Sequence, residues 1–336
     1  ILSSKIKDVN RIKQNIESLN IFSCIHIVKE DKKNIKHIEA QLRNINTNEN
    51  DIVHYFTFGN LYSSLLIKQK NIAILTEEGL ATYLGTFESW EEFKRIDKII
   101  LSNKVEEFDL DSLAEQNVFV ELKSILNIIY EYNDRKTYEL LYFDQYYNFD
   151  IEEKLMASEL RPLLRHYNIP IKLHPLYKWM EKYHGLEVIK ESDIPWEIVM
   201  LNSKANEYTF ITECSSAVFF SVLAKKCNIR MVLLYKIFKA AKLYERLDLF
   251  VKKYQKYYDV DIYLPENFAE LNEILGKILN RIPFKGNIGH FKMNSQLEKI
   301  ADIMTKNELY DDKRVEIYLR KIQYLIDKLG RSAKYY

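Results

Sequence analysis

The chain has 336 residues, 47% of them hydrophobic, and its 49 Lys and Arg nearly balance 48 Asp and Glu for a net charge of +1. That length suggests two domains of ~150 residues each, and the composition permits a full core. The near-neutral balance argues against a dedicated nucleic-acid binder and against strong long-range steering, and Cys24, Cys214 and Cys227 lack metal-ligand spacing, which fits a reducing, cytoplasmic compartment.

The chain opens without Met on Ile1-Leu2-Ser3-Ser4, in a helical-looking pattern, so the expectation is a first strand missing from the sequence given, with no secretory signal. Residues 21–28 read as a strand, 34–42 as a helix, 51–58 as a strand, 61–68 as a helix and 71–75 as a strand. A polar helix near Trp90 precedes a further strand at 98–101. Such alternation implies parallel strands joined by crossover helices. Residues 108–128 carry a helical pattern that runs into a tyrosine-rich segment, 130–147. A helix over 150–165 then opens a second α/β series, with strands at 169–173, 188–189, 208–211, 231–234 and 261–264. Pro265 and Asn267 start a last regular helix, 268–279, and 295–329 reads as two helical stretches rich in paired charges. The simplest assembly is two Rossmann-like α/β halves with a cleft between them: an N-terminal domain 1–150, a second domain 151–285, and helices 286–336 packing across the two. No stretch reaches the ~20 apolar residues that span a bilayer; the run 217–224 is stopped by Lys225-Lys226.

Three short motifs fall at element edges. Glu77-Glu78-Gly79 follows the strand at 71–75, His174-Pro175 follows the strand at 169–173, and Ser215-Ser216 stands between the strand at 208–211 and a helical pattern. In an open α/β sheet the ligand crevice lies outside the carboxyl ends of the strands, so the three turns read as one site. Adjacent carboxylates in extended backbone point to opposite sides, so one of Glu77 and Glu78 can face the cleft as a general base while Gly79 permits a sharp exit. A solvated acidic turn would look the same. With 7 His and 6 Pro in the chain, chance supplies a His-Pro pair only ~0.1 times. A histidine leaving a strand can protonate or hydrogen-bond a departing phosphate, and Pro175 offers a base an apolar surface. Hydroxyls at a helix N-terminus make a phosphate site or an ordinary cap. Glu197, after Pro195-Trp196, can accept two hydrogen bonds from ribose or simply compensate the helix dipole.

Other candidates are plainer. His166 and His184 read as surface or core residues rather than ligands. Lys236, Lys239 and Lys242 share one helical face, whose ordinary reading is solvation and whose other reading is contact with anionic lipid or glycan at a membrane surface. No glycine-rich dinucleotide loop and no phosphate loop is present, which removes the main support for kinase and dehydrogenase readings.

The ordered motifs, with Trp196-Glu197-Ile198-Val199-Met200 and Cys214-Ser215-Ser216-Ala217-Val218-Phe219-Phe220-Ser221, resemble the bacterial sialyltransferases over roughly residues 72–224. The pattern is similar to glycosyltransferase family 52, the lipooligosaccharide sialyltransferases, and to the related polysialyltransferases and Pasteurella-type enzymes. The resemblance implies a GT-B arrangement of two Rossmann-like domains and metal-independent, inverting transfer of sialic acid from CMP-sialic acid to a terminal sugar, galactose above all, of a bacterial surface glycan such as lipooligosaccharide or capsule. It implies Glu77 as the base for the acceptor hydroxyl, supported by Glu78 and Gly79, and His174 as the group assisting CMP departure. Pro175 would then lie near the cytosine, Glu197 on the ribose, and Ser215 and Ser216 on the phosphate. It further implies no cofactor beyond the donor, a cytoplasmic protein that can sit peripherally on the inner membrane, and a homodimer. The chain departs from many relatives in carrying Leu176 after His-Pro and Ala81 beyond the acidic motif. Two rival readings stay open: another GT-B transferase using CMP-Kdo or a UDP-hexose, and a non-catalytic glycan-binding protein of the same fold.

Overall fold

The computed structural model describes residues 2–3, 8–20, 27–28, 40, 52–55, 72–76, 98–100, 112–113, 123–132, 136–145, 160–174, 183, 185–224, 227–237 and 241–286. The chain divides into two compact units, Ile1–Gly286 and Asn287–Tyr336, and every described residue belongs to the first.

All described strand pairs are parallel. Strand β1 (Leu2–Ser3) precedes helix α1 (Val9–Ser18) and pairs with β2 (Ile27–Val28). Strands β3 (Ile52–Tyr55), β4 (Ile72–Thr76), β5 (Lys98–Ile100) and β6 (Ser112–Leu113) form a four-stranded sheet in chain order. Helix α2 (Lys123–Tyr130) leads toward a five-stranded sheet made of β7 (Leu140–Phe143), β8 (Ile171–Lys172), β9 (Glu207–Thr212), β10 (Asn228–Leu233) and β11 (Asp261–Tyr263). Its spatial order is β8-β7-β9-β10-β11. The protein is therefore mixed α/β with a Rossmann-like parallel sheet.

Composition explains why these strands sit centrally. Parallel strands covered on both faces read as continuous apolar runs; β9 is buried at every position after Glu207, and β7 at every position after Leu140. Phe143, Phe210 and Trp196 meet edge to face with ring centroids 4.9–5.5 Å apart, a geometry worth ~0.5–1.5 kcal/mol per pair beyond area burial. Trp196 opens α3 (Trp196–Asn202), and its indole N–H donates to Ser221 Oγ of α4 (Ser216–Ala224) at 2.8 Å, so a buried polar atom locks two helices together. In α5 (Ala241–Tyr258) the buried residues Leu247, Phe250, Val251 and Tyr254 follow the helical period, and the Tyr254 hydroxyl donates to the Phe219 carbonyl at 2.7 Å. Asn267 caps α6 (Phe268–Ile278) by accepting from the Glu270 N–H, while Glu270 reaches back to the Glu266 N–H. Gly276 lies where a Cβ would meet Pro283 Cγ at 3.0 Å and the Arg281 carbonyl at 3.1 Å, so a side chain there would require those neighbours to give by a few tenths of an ångström.

At the other end of the helix layer, Asn15 of α1 donates to the Ile129 carbonyl and to Glu131, and Asn127 of α2 exchanges amide hydrogen bonds with Asn202 of α3. Four segments differ from the sequence expectation. Residues 2–3 are strand rather than helix, 112–113 form a strand inside the stretch with helical pattern, and the tyrosine-rich segment contains β7. Val188 makes an isolated bridge to Ile171 and no regular strand. Each is a short segment whose state is decided by the neighbour it pairs with and not by its own propensity.

Candidate functional site

The strand order of the large sheet reverses between β7 and β9: from β7 the chain passes to β8 on one side, then back past β7 to β9 on the other. Loops leaving the carboxyl ends of two such strands diverge and leave a crevice between them, where ligands of open α/β sheets bind. The residues delivered to this edge are Asp144 and Gln145 after β7, Leu173 and His174 after β8, and Glu213, Cys214 and Ser215 after β9.

Ser215 and Ser216 stand at the start of α4, as expected. Ser215 Oγ accepts from the Ala217 N–H at 3.4 Å, and the Ser215 N–H donates to Thr212 Oγ1 at 3.2 Å, which ties the turn to the end of β9. Both serines are half-buried, and the first turn of α4 faces this edge with backbone donors that no earlier helical turn can satisfy.

His174 lies two residues beyond β8 and is half-buried. Burial pushes its ring below the ordinary histidine range; the Asp144 carboxylate opposes this, and the Lys172 ammonium adds to it. Lys172 is 5% exposed, and its ammonium donates to the carbonyls of Glu191, Ser192 and Ile194 at 3.2, 3.1 and 2.8 Å. Burial drives its pKa down to about 8, against the upward pull of Glu197, Asp193 and Glu191. The Leu173 N–H donates to Ser192 Oγ at 3.2 Å, and the Tyr138 hydroxyl donates to Glu191. The 3-10 turn Lys190–Asp193 is thus stapled to the end of β8, and Pro195 and α3 follow directly.

Glu197 sits in the first turn of α3. Although the residue is partly exposed, its carboxyl is deep enough for burial to raise its pKa, opposed by a backbone hydrogen bond and by Lys172. The Lys172 charge thus acts on both groups, lowering the His174 ring and opposing the rise at Glu197.

Two buried carboxylates at this edge have no counterpart in the motif reading. Asp144 is 3% exposed and accepts from the Tyr183 hydroxyl at 2.5 Å, and Glu213 is also 3% exposed. Burial lifts the Tyr142 phenol well above the ordinary range; Asp144, Glu213 and Cys214 add to the shift and a hydrogen bond with Tyr183 opposes it. The sequence signal available was a carboxylate placed directly after a strand pattern, the apolar run Leu140–Phe143 in one case and Glu207–Thr212 in the other.

The structure thus brings His174, Ser215 and Ser216 to one sheet edge and couples Glu197 to it. Glu77, Glu78, Gly79 and Pro175 lie outside the described residues, as do Cys24, His184, Lys239 and the helices expected after residue 286. His166 is an exposed residue bonded to the Ile282 carbonyl at 2.8 Å. Lys236 stands in the turn after β10, not on a helix face, and pairs with Asp248 at 3.4 Å. Burial and Glu213 push the Cys214 thiol up to about 12, which keeps it protonated and inert at neutral pH. Among the described residues no cluster of three or more metal-ligating side chains occurs, and no helix is long and apolar enough to cross a membrane.

Chemically, the edge offers backbone and hydroxyl donors for an anion at the start of α4, an imidazole two strands away, and a carboxyl in the first turn of α3. No family model matches the chain, and no curated protein matches it.

Proposed function

We propose that the protein is an inverting sialyltransferase that moves sialic acid from CMP-sialic acid to a terminal sugar, galactose, of a bacterial surface glycan such as lipooligosaccharide or capsule. The observation that carries the reading is the shared strand edge: His174 after β8 and Ser215-Ser216 at the start of α4, on the two sides of the strand-order reversal. In this reading the donor phosphate sits on the first turn of α4 and the two serine hydroxyls. Glu197, in the first turn of α3, accepts from the ribose hydroxyls. The acceptor hydroxyl loses its proton to Glu77 as its oxygen attacks the anomeric carbon, and the bond to the CMP phosphate oxygen breaks while His174 hydrogen-bonds or protonates that oxygen. Such a reaction suits two facing Rossmann-like domains of the GT-B type, one for each substrate, in the cytoplasm where activated donors are made.

Calorimetric titration with CMP and with UDP tests the donor class. The reading expects CMP to bind, UDP to bind at least tenfold more weakly, and Ser215→Ala with Ser216→Ala together to weaken CMP by roughly 10–100-fold, the loss of two hydrogen bonds to a charged group. Binding of UDP alone, or CMP affinity untouched by the double substitution, would remove the proposed phosphate site.

A further inference from the structure

We propose that Thr212 is a positioning residue for the phosphate-binding turn: its buried hydroxyl joins the Phe143 carbonyl of β7 to the Ser215 N–H and so aims the first turn of α4. This deepens the role given to Ser215 and Ser216 above and rests on that reading.

Thr212 is the last residue of β9 and is fully buried. Its register partners are Phe143 on β7 and Leu233 on β10, and its carbonyl accepts from the Leu234 N–H at 2.8 Å. The sheet therefore still holds the backbone at Thr212, directly before the turn begins. Alternation puts its side chain on the same face as Phe210 of its own strand and Phe143 of the neighbouring one. Both of those rings meet Trp196, whose indole N–H bonds Ser221 of α4, so this is the face that α4 covers. There the Thr212 hydroxyl donates to the Phe143 carbonyl at 3.3 Å and accepts from the Ser215 N–H at 3.2 Å. A hydroxyl has one proton and two lone pairs, so a single oxygen makes both bonds at once.

The bond from Ser215 to Thr212 closes the turn through a side chain, a local contact of the kind by which Ser and Thr direct the backbone at helix starts. Ser215 in turn opens α4: its carbonyl accepts from the Val218 N–H at 3.4 Å, and its Oγ from the Ala217 N–H at 3.4 Å. The direction of the helix start thus follows the position of Ser215, and Thr212 sets that position. A phosphate on a helix N-terminus is held by N–H groups and hydroxyls, whose bonds weaken steeply when misaligned. Phe143 brings in the second strand, because it ends β7 on the other side of the order reversal. One hydroxyl therefore ties the turn to both strands that border the crevice. Packing alone does not call for it, since valine has the same branched shape. An oxygen set between a buried donor and a buried acceptor is what valine lacks.

The test is calorimetric titration of the full chain with CMP, for the wild type, Thr212→Val and Thr212→Ser, with NMR hydrogen exchange of the Ser215 amide measured without ligand. Thr212→Val is expected to weaken CMP about tenfold and to speed Ser215 exchange about tenfold, while Thr212→Ser, which keeps the oxygen, stays within about twofold of the wild type in both. Cytidine, which has no phosphate, is expected to bind the wild type and Thr212→Val alike. Unchanged exchange in Thr212→Val, a loss that Thr212→Ser shares, or a loss equally large for cytidine overturns the proposal. Should Thr212→Val fail to fold, the wild type alone decides: its Ser215 amide must exchange at least about tenfold more slowly than in an unfolded chain, and an unprotected amide overturns the proposal. The two ideas fail separately. Wild type that binds no CMP defeats the donor reading, and the exchange comparison still decides whether Thr212 holds the turn. Wild type that binds CMP, with Thr212→Val its equal, loses the Thr212 assignment alone.

Discussion

Lys172 shows how a single side chain can set the shape of an edge. A lysine in the middle of a buried strand end is unusual, because the ammonium must find partners or shed its proton. Here it finds three backbone carbonyls in four residues, and so closes the 3-10 turn that precedes α3. Lys172→Met is expected to destabilise the fold by about 1–3 kcal/mol at pH 7, since those carbonyls lose a charged donor. The pH dependence has a definite sign. Burial holds the folded pKa near 8, below the ordinary lysine value, so above pH 8 the unfolded chain binds more protons than the folded one. Stability of the wild type relative to Lys172→Met should therefore rise as pH goes from 8 toward 10. Urea unfolding of both proteins at pH 7, 8.5 and 10 measures this, and a gap that narrows with pH would contradict it. At this scale the sequence was partly legible: the hydroxyl pair and the histidine stand at element ends as their patterns suggest. Lys172, Asp144 and Glu213 were not, because a charged residue touching an apolar run looks like a strand boundary until its neighbours are known.

Element ends in this protein use few glycines. The chain has only 8, and the left-handed positions that close helices are taken by Asn20, Glu131, Asp259 and Asn280, with Asn168 ending the helical turns at 160–166. Asn and Asp tolerate this region better than other residues but less well than glycine. Asp259, exposed just after α5 with φ of 50°, makes a clean case. Asp259→Gly is expected to raise stability by ~0.5–1 kcal/mol, from relief of the αL penalty net of the extra entropy of the unfolded chain. A urea midpoint that drops would contradict it. The elements with their own signals were readable in advance. Strands β9, β10 and β11 carry aromatic and branched apolar residues between polar turns, and α6 has its Asn267 cap. Strand β7 was hidden because four apolar residues among tyrosines have no period to distinguish them. Strand β6 was hidden because two residues carry no pattern at all and owe their state to Ile99 and Ile100 opposite them.

At the scale of the whole molecule, the α/β class and the parallel pairing were readable from alternation, but the order of strands was not. That order depends on β7 joining the sheet between β8 and β9, a contact between residues far apart in sequence. All carboxyl ends of a parallel sheet share one edge, and the strand order decides that only β7 separates the strand before His174 from the strand before Ser215. The base proposed above, Glu77, is the residue after β4, which ends at Thr76 on the other sheet, and lies outside the described residues. The central claim is that these groups carry out one reaction, and the direct measurement is transfer from CMP-sialic acid to a labelled lactoside by the wild type, Glu77→Gln and His174→Ala. The account predicts sialylated product and released CMP with the wild type, and a loss of ~10²–10⁴-fold in each variant with folding unchanged. No product and no released CMP with the wild type, or near-wild-type transfer by either variant, would contradict it.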